Sequence, residues 1–444
     1  LCERGPVEVR VCRYRRCGGS DPFMSSGRAP DTAGDGSTRR IGHTLAAREA
    51  IPVSRVLVVG CWDESAGIPR TESLVAALLG LGHEVEECYV DASDAATELA
   101  RRVGTRLVPW AARVGAPRRT RARVRAAVRA ALARGPLDMV LVPYPGALTV
   151  SCVRSVYDGP IVLDLFRASG GHLATDVQPD GIGPHAAVRA DRAACRAADL
   201  VIVDTHVQAE HVARLTGLPR TRFGVVPICD PDGPVESPVP GLGKGEPLRL
   251  LLFGKGLPSA GLATWVEAVR RSPSTSLQLV GGDASTHRVV KAALGHRADV
   301  IAEFLPMNQL RERIVAAHVV GGVVDPSREV ARTVPYRVVH ALAHGRPVIT
   351  AKTEALRDLL TPGVDSVTVP MADAGETALA LERLARDPSG LAASGEAARA
   401  TYDACFSPDV VVGRLEELLG SRLGFRSMPW SRHQQDARAL EPAG

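Results

Sequence analysis

The sequence predicts an α/β protein of two doubly wound, Rossmann-like domains facing a cleft. Three observations carry this. The chain has 444 residues, too many for one ordinary domain and enough for two. Short β-branched runs alternate with amphipathic helical stretches from Arg55 to about Leu419. A stretch rich in Pro and Gly interrupts that alternation once, at 229–247.

Residues 1–53 have no sustained period and are rich in Gly, Arg, Ser, Asp and Pro. Such a segment cannot bury enough apolar area to offset its ordering entropy, and it is expected to be disordered. Order begins at Arg55. Val56-Leu57-Val58-Val59 ends at Gly60, the pattern of a buried parallel strand. A helix over about 71–81 follows, with Leu74, Leu78 and Leu81 on one face, and a second strand opens at Glu84. Further strands are predicted at 139–142, 161–163, 200–203 and 223–226, with helices clearest at 187–198 and 205–215. The first domain therefore spans 54–228. The linker at 229–247 contains five Pro. In the second domain, 248–405, strands fit at 248–253, 276–280, 299–302, 319–324, 347–350 and 366–369. A last helix, within 406–421, is placed to cross back to the first domain. A disordered tail is expected at 422–444. Strands that alternate with helices make a parallel sheet covered on both faces, and ligands bind outside its carboxyl strand ends.

Hydrophobic residues make up 45% and aromatics only 4%, so Val, Leu and Ala must fill the cores. Charged residues at 23% with a net +5 give a mildly basic protein, which does not by itself imply nucleic acid. Nine scattered Cys without a CxxC pair are neither a zinc site nor a disulfide framework; they are expected to be reduced thiols in the cytoplasm. No apolar stretch approaches the roughly 18 residues that span a bilayer, and no signal-peptide pattern opens the chain. Met24 is a candidate internal start.

Three segments carry chemistry. Phe253-Gly254-Lys255-Gly256-Leu257-Pro258 ends the first strand of the second domain. Glycine lets the backbone approach a ligand, and a Lys before a helix N-terminus suits a diphosphate; a plain turn with a solvated Lys fits equally well. It is not a Walker loop. In 327–350, Thr333 is expected to cap a helix that carries Pro335 in its first turn and ends at Gly345. Arg332 and the amides near Val334 would meet a phosphate there. His340 lies on the same helix, and a polar surface role fits its spacing as well. The third segment, 117–134, has seven Arg and no acid. Arg121, Arg125 and Arg129 form one stripe, and Val124, Val128 and Leu132 another. It reads as a helix on anionic lipid or as an Arg-rich solvated helix. Nucleic acid is a third reading, although no aromatics interleave.

The segment 327–350 resembles the donor-site motif of the retaining family-4 (group 1) glycosyltransferases, in a subgroup reading R-x-x-P-x-K-x-x-(E/Q)-A-L-A-x-G-x-P-V-I-T. Arg332, Pro335, Ala341, Leu342, Ala343, Gly345, Pro347, Val348, Ile349 and Thr350 match. Phe253, Gly254, Lys255, Pro258 and Gly261 match the subgroup's phosphate turn. Gly60-Cys61-Trp62-Asp63 with Pro69-Arg70, then Tyr144-Pro145-Gly146, Asp164 with Phe166 and Ser169, and the run 198–205 extend the likeness over about 55–419.

The resemblance implies a GT-B fold, a nucleotide-diphosphate sugar as donor, a sugar or lipid-linked acceptor, and transfer with retention. It implies catalytic roles for Lys255 and Arg332. Donor contacts would come from Gly254, Lys255, Gly282, Phe304, Arg332, Val334, Pro335 and His340. Acceptor-side contacts would come from Gly60, Asp63, Arg70, Tyr144, Asp164 and Phe166. No metal or other cofactor is expected, nor any nucleic-acid partner. Location is expected in the cytoplasm, with 117–134 at the inner face of the membrane. His340 departs from the subgroup's Glu or Gln, the residue expected to hold the donor ribose. Phe166 stands where the wider family often has a His, and Ala260 replaces a Lys or His. Paired carboxylates are not evident in the sequence, which counts against a rival reading as a nucleotide-sugar epimerase. A degenerate partner subunit is the other alternative.

Overall fold

A computed structural model of the chain describes residues 8–10, 54–60, 69–90, 118–168, 184–230, 233–235, 237–254, 257, 260–302, 305–325 and 330–425. Two β-sheets organise them. The first takes strands β1 (Glu8–Arg10), β2 (Arg55–Gly60), β3 (Glu84–Tyr89), β4 (Met139–Val142), β5 (Ile161–Asp164), β6 (Leu200–Val203) and β7 (Phe223–Val225) in the order β1-β3-β2-β4-β5-β6-β7. All its neighbours are parallel except β1 on β3. Helices α1 (Pro69–Gly80), α2 (Arg118–Ala133), α3 (Val150–Arg154), α4 (Pro184–Ala197) and α5 (His206–Thr216) connect the strands. The second sheet holds β8 (Leu248–Phe253), β9 (Thr275–Val280), β10 (Ala298–Ile301), β11 (Val319–Gly321), β12 (Val348–Ala351) and β13 (Ser366–Val369), all parallel, in the order β10-β9-β8-β11-β12-β13. Its helices are α6 (Leu262–Arg271), α7 (Ala284–Leu294), α8 (Met307–Ala316), α9 (Tyr336–Ala343), α10 (Ala374–Arg386) and α11 (Pro388–Cys405). The last helix, α12 (Pro408–Leu423), returns to the first domain.

Both strand orders reverse once, between β2 and β4 and between β8 and β11. A crevice opens at such a reversal because the flanking connections leave to opposite faces. The strands read as continuous apolar runs because both faces are covered: β4, β5, β6 and β12 are buried at every position. On α12, Val411, Val412, Leu415 and Leu419 join Leu74 and Leu78 of α1 in one core cluster. Leu418 presses so close to Gly224 of β7 that a Cβ there would lie 2.5 Å from it.

Two local expectations are corrected. Glu8–Arg10, within the segment expected to be disordered, pairs antiparallel with Glu87–Tyr89. The Val7-Glu8-Val9-Arg10-Val11 alternation is a strand signal, and β3 without it would present an unpaired edge. Helix α9 starts at Tyr336, with Pro335 at its N-cap and no side-chain cap, so Thr333 does not cap it. Proline fixes the entry angle instead.

Candidate functional site at the domain seam

The carboxyl ends of both sheets meet at one seam. From the second domain, β8 runs into Gly254, with φ +119°, and β9 into Gly281 and Gly282, with φ +91° and +87°. A Cβ on Gly281 would come within 2.9 Å of the Gly254 carbonyl, so these two turns pack backbone to backbone, and only glycine allows it. Arg337, in the first turn of α9, lies over the same place: a Cβ on Gly254 would meet its Nη2 at 3.3 Å. Arg337 Nη1 is buried without a hydrogen-bond partner among the described residues, and burial pulls the guanidinium down to about 10. A buried charged donor left unpaired is costly. Beside a glycine turn at a switch point, it fits an anionic ligand. Sequence reasoning passed over Arg337, although it stands at the basic position of the P-x-K motif.

Arg332 closes a short 3-10 turn, Val330–Arg332. Its carbonyl accepts a hydrogen bond from Thr205 Oγ1 at 2.6 Å. Its charge, after burial, helps lower His211 of α5 to about 4. The Val334 amide, expected to face a phosphate, instead donates to Asp204 Oδ2 at 2.8 Å. Lys255, Phe304 and Asp63 lie outside the described residues.

His340 does not take the polar surface role. Its ring is 1% exposed, and its Nε2 is buried with no hydrogen-bond partner among the described residues. Nδ1 lies 2.8 Å from Asp230 Oδ2, and the ring stands edge-on to Tyr336 with centroids 4.2 Å apart. Asp230 comes from the Pro-rich linker, where the Gly233 amide closes a turn onto its carbonyl. Arg311 of α8 holds Asp230 Oδ1 at 2.8 Å. Burial opposes the charge, but His340 and Arg311 outweigh it and hold the Asp230 carboxyl below the usual range. This network pins the linker to α8 and α9.

Among the described residues, Asp230, His340 and His344 also form the one group with metal-ligand atoms within 4.8 Å of one another. His344 Nδ1 accepts the Val235 amide at 3.3 Å, which leaves the proton of a neutral ring on Nε2, the nitrogen facing Asp230. With Arg311 on the carboxylate, the donor set fits a hydrogen-bonded anchor rather than a cation.

On the first domain, Arg70 Nε pairs with Asp164 Oδ1 at 2.8 Å with both side chains buried. Arg70 Nη1 donates to the Val226 carbonyl at 2.8 Å, and its guanidinium carbon sits 5.6 Å from the Phe166 ring centre. Phe166 meets Tyr144 edge-on at 5.8 Å. Gly60 ends β2 and is buried. The structure thus brings Arg70, Tyr144, Asp164 and Phe166 together. It also supplies the carboxylate pair not evident in the sequence. Asp164 and Asp204 end neighbouring strands, and burial raises both above the usual range, Asp204 to about 7.

Helix α2 has one buried and one exposed face. Val124 and Val128 are fully buried in the first core and Leu132 packs against it. The apolar stripe is therefore the core face. Arg121 and Arg129 are exposed and Arg125 is half-buried. No helix among the described residues is long and apolar enough to cross a membrane.

Comparison with known proteins gives consistent results. Residues 66–229 match the glycosyl transferase 4-like domain, and residues 250–387 match the glycosyl transferases of group 1. No curated protein matches the chain. Among solved structures, a sucrose-phosphate synthase from Thermosynechococcus elongatus is similar, with TM-score 0.62, 18% identity, and coverage of 83% of this chain and 98% of that one. HepE of Anabaena, solved in complex with UDP, gives TM-score 0.58, 14% identity and coverage of 83% and 100%. A glycosyltransferase from Rickettsia africae gives 0.54, 10%, and coverage of 84% and 100%. At these identities the likeness shows the GT-B fold. The two family matches together span more than half of the sequence, and the chain belongs to the group 1 glycosyltransferases.

Proposed function

We propose that the protein transfers a sugar from a nucleoside-diphosphate sugar to a hydroxyl of a polysaccharide, lipid-linked or small-molecule acceptor, with retention. The observation that carries this reading is the placement of Arg337 over the Gly254 turn, with its Nη1 buried and without a hydrogen-bond partner among the described residues. A diphosphate at that turn would supply the missing charge. HepE, of the same fold, has been solved with UDP and with UDP-glucose, which supports a donor of this class.

The chemistry follows from charge. As the glycosidic bond to the diphosphate lengthens, the sugar becomes cation-like and negative charge gathers on the phosphate. Arg332, Arg337 and Lys255 would stabilise that charge, each worth about 3 kcal/mol in a water-poor site. The acceptor hydroxyl then attacks on the face that the phosphate leaves, and its proton passes to the departing phosphate oxygen. The Asp164–Asp204 pair favours a second reading, an epimerase with carboxylate acid/base groups. Both carboxyls are engaged, Asp164 by Arg70 and Asp204 by the Val334 amide, so transfer is the reading we carry. The exposed arginines of α2 would bring the first domain to an anionic membrane carrying a lipid-linked acceptor.

The test is a panel of UDP-, GDP- and ADP-sugars with the anomer followed by NMR, in wild type, Arg337→Met and Lys255→Ala. Expected are nucleotide release that depends on an acceptor, an α-linked product from an α-linked donor, and a loss of about 100-fold in each variant. Isomerised free sugar nucleotide would instead establish the epimerase. Wild-type rates in both variants would place the donor elsewhere.

A further inference from the structure

Two consecutive residues at the end of β6 hold the donor loop from the opposite domain. Thr205 accepts the Gln208 amide at 3.0 Å as N-cap of α5 and donates to the Arg332 carbonyl at 2.6 Å. Asp204 Oδ2 accepts the Val334 amide at 2.8 Å. Both bonds reach backbone groups on either side of Thr333, and the loop between them carries Arg332. Asp204 is 3% exposed, and its Oδ1 is buried without a hydrogen-bond partner among the described residues. Its surroundings are mixed. Arg70 of α1 and Asp164 of β5 act on it with opposite sign, and the Val334 amide faces it from the second domain. Further along α5, His211 lies near Arg332.

We propose that Asp204 is a positioning residue that latches the donor loop to the first domain, and so sets where Arg332 stands in the closed enzyme. The proposal rests on the donor-site reading above. Its consequence for pH has a definite sign. In the closed form burial, partly offset by Arg70, lifts Asp204 to about 7. Opening the seam returns the carboxyl to water and to an ordinary value near ~3.9. A group raised in the closed state favours closure fully below its ordinary value, and that contribution is lost as pH rises through about 7. Burial is the physical cause; Arg70, which Asp164 holds directly, only partly offsets it, and the Asp164 charge adds a smaller upward push.

The test compares the full chain, Asp204→Asn and Asp204→Ala from about pH 5.5 to about pH 8.5, by small-angle scattering without donor and by initial rates with a donor. Asparagine keeps an oxygen for the Val334 amide and cannot ionise; alanine removes the contact. Wild type should expand and lose kcat as pH rises through the range. Asp204→Asn should stay compact and lose that limb of the profile. Asp204→Ala should be expanded throughout, with kcat down about tenfold and donor KM little changed, since one hydrogen bond of typical strength corresponds to that factor. An Asp204→Asn protein with the wild-type pH profile, or an Asp204→Ala protein as compact and active as wild type, overturns the latch. Compactness that follows Asp204 in a protein that binds no UDP would sink the donor-site reading and overturn the positioning role, while showing that the contact closes the seam.

Discussion

Replacing His340 with alanine separates two roles for one residue. In the family pattern this position serves the donor ribose; in the structure it anchors the linker. The change removes the bond from Nδ1 to Asp230 Oδ2 at 2.8 Å, inside a fully buried network. Taking the partner from a buried charged acceptor costs about 2 kcal/mol. The lost ring also leaves a void beside Tyr336, whose edge-on contact is 4.2 Å, adding about 1–2 kcal/mol. The expected destabilisation is about 3–4 kcal/mol, a large part of the margin of ordinary domains. Urea unfolding of wild type and variant measures it, and UDP titration at a temperature where both are folded measures donor affinity. The denaturation midpoint should fall while affinity changes less than about threefold. The cost should also shrink in acid. Asp230 is held below its ordinary range by His340 and Arg311, so its contribution is present above the ordinary carboxylate value and lost as pH falls through the depressed one. A variant with the wild-type midpoint and UDP affinity weakened about tenfold or more would refute the anchor and restore the ribose role.

Two further outcomes are expected. Asp164→Asn leaves Arg70 buried without its counter-charge, so unfolding measurements should show a loss of about 3–5 kcal/mol, largely recovered in the double variant with Arg70→Met; a loss below about 1 kcal/mol would mean that the pair is already solvated. Replacing Arg121, Arg125 and Arg129 with Gln should release the protein from anionic vesicles without changing its unfolding midpoint, because the apolar stripe of α2 is packed in the core. Undiminished vesicle binding by the triple variant would end the membrane assignment.

The two-domain fold was legible because its signals are local. Buried parallel strands require unbroken apolar runs, and helices between them require a stripe, so 56–59, 139–142, 200–203 and 248–253 announced themselves. The short strand at Glu8–Arg10 was not expected because its brief alternation stands alone amid Gly- and Arg-rich sequence, and its pairing partner lies some eighty residues away. The site was legible where backbone chemistry decides it. Gly254 and Pro335 mark turns that few other residues permit. Side-chain partnerships were not legible. Nothing in spacing joins Asp230 to His340 or Asp204 to Val334, because both contacts depend on how linker and seam close in three dimensions.

The Asp230–His340 contact bears on how a donor would be held. Asp230 sits where the chain enters the second domain, and a buried carboxylate there requires cationic or hydrogen-bonding partners. Arg311 satisfies one oxygen and His340 the other. A Glu at 340 would place a second carboxyl against the first, and like charge with burial would hold a proton on one of the two. The His at 340 and the Asp at 230 are thus mutually consistent, and an acid at 340 would weaken the anchor. In the donor-site reading, the groups among the described residues that suit a diphosphate are the Gly254 turn, Arg332 and Arg337, beside Lys255. Those groups recognise phosphate charge. The expected selectivity follows, with inorganic pyrophosphate competing for the site almost as well per phosphate as UDP, and uridine alone competing weakly.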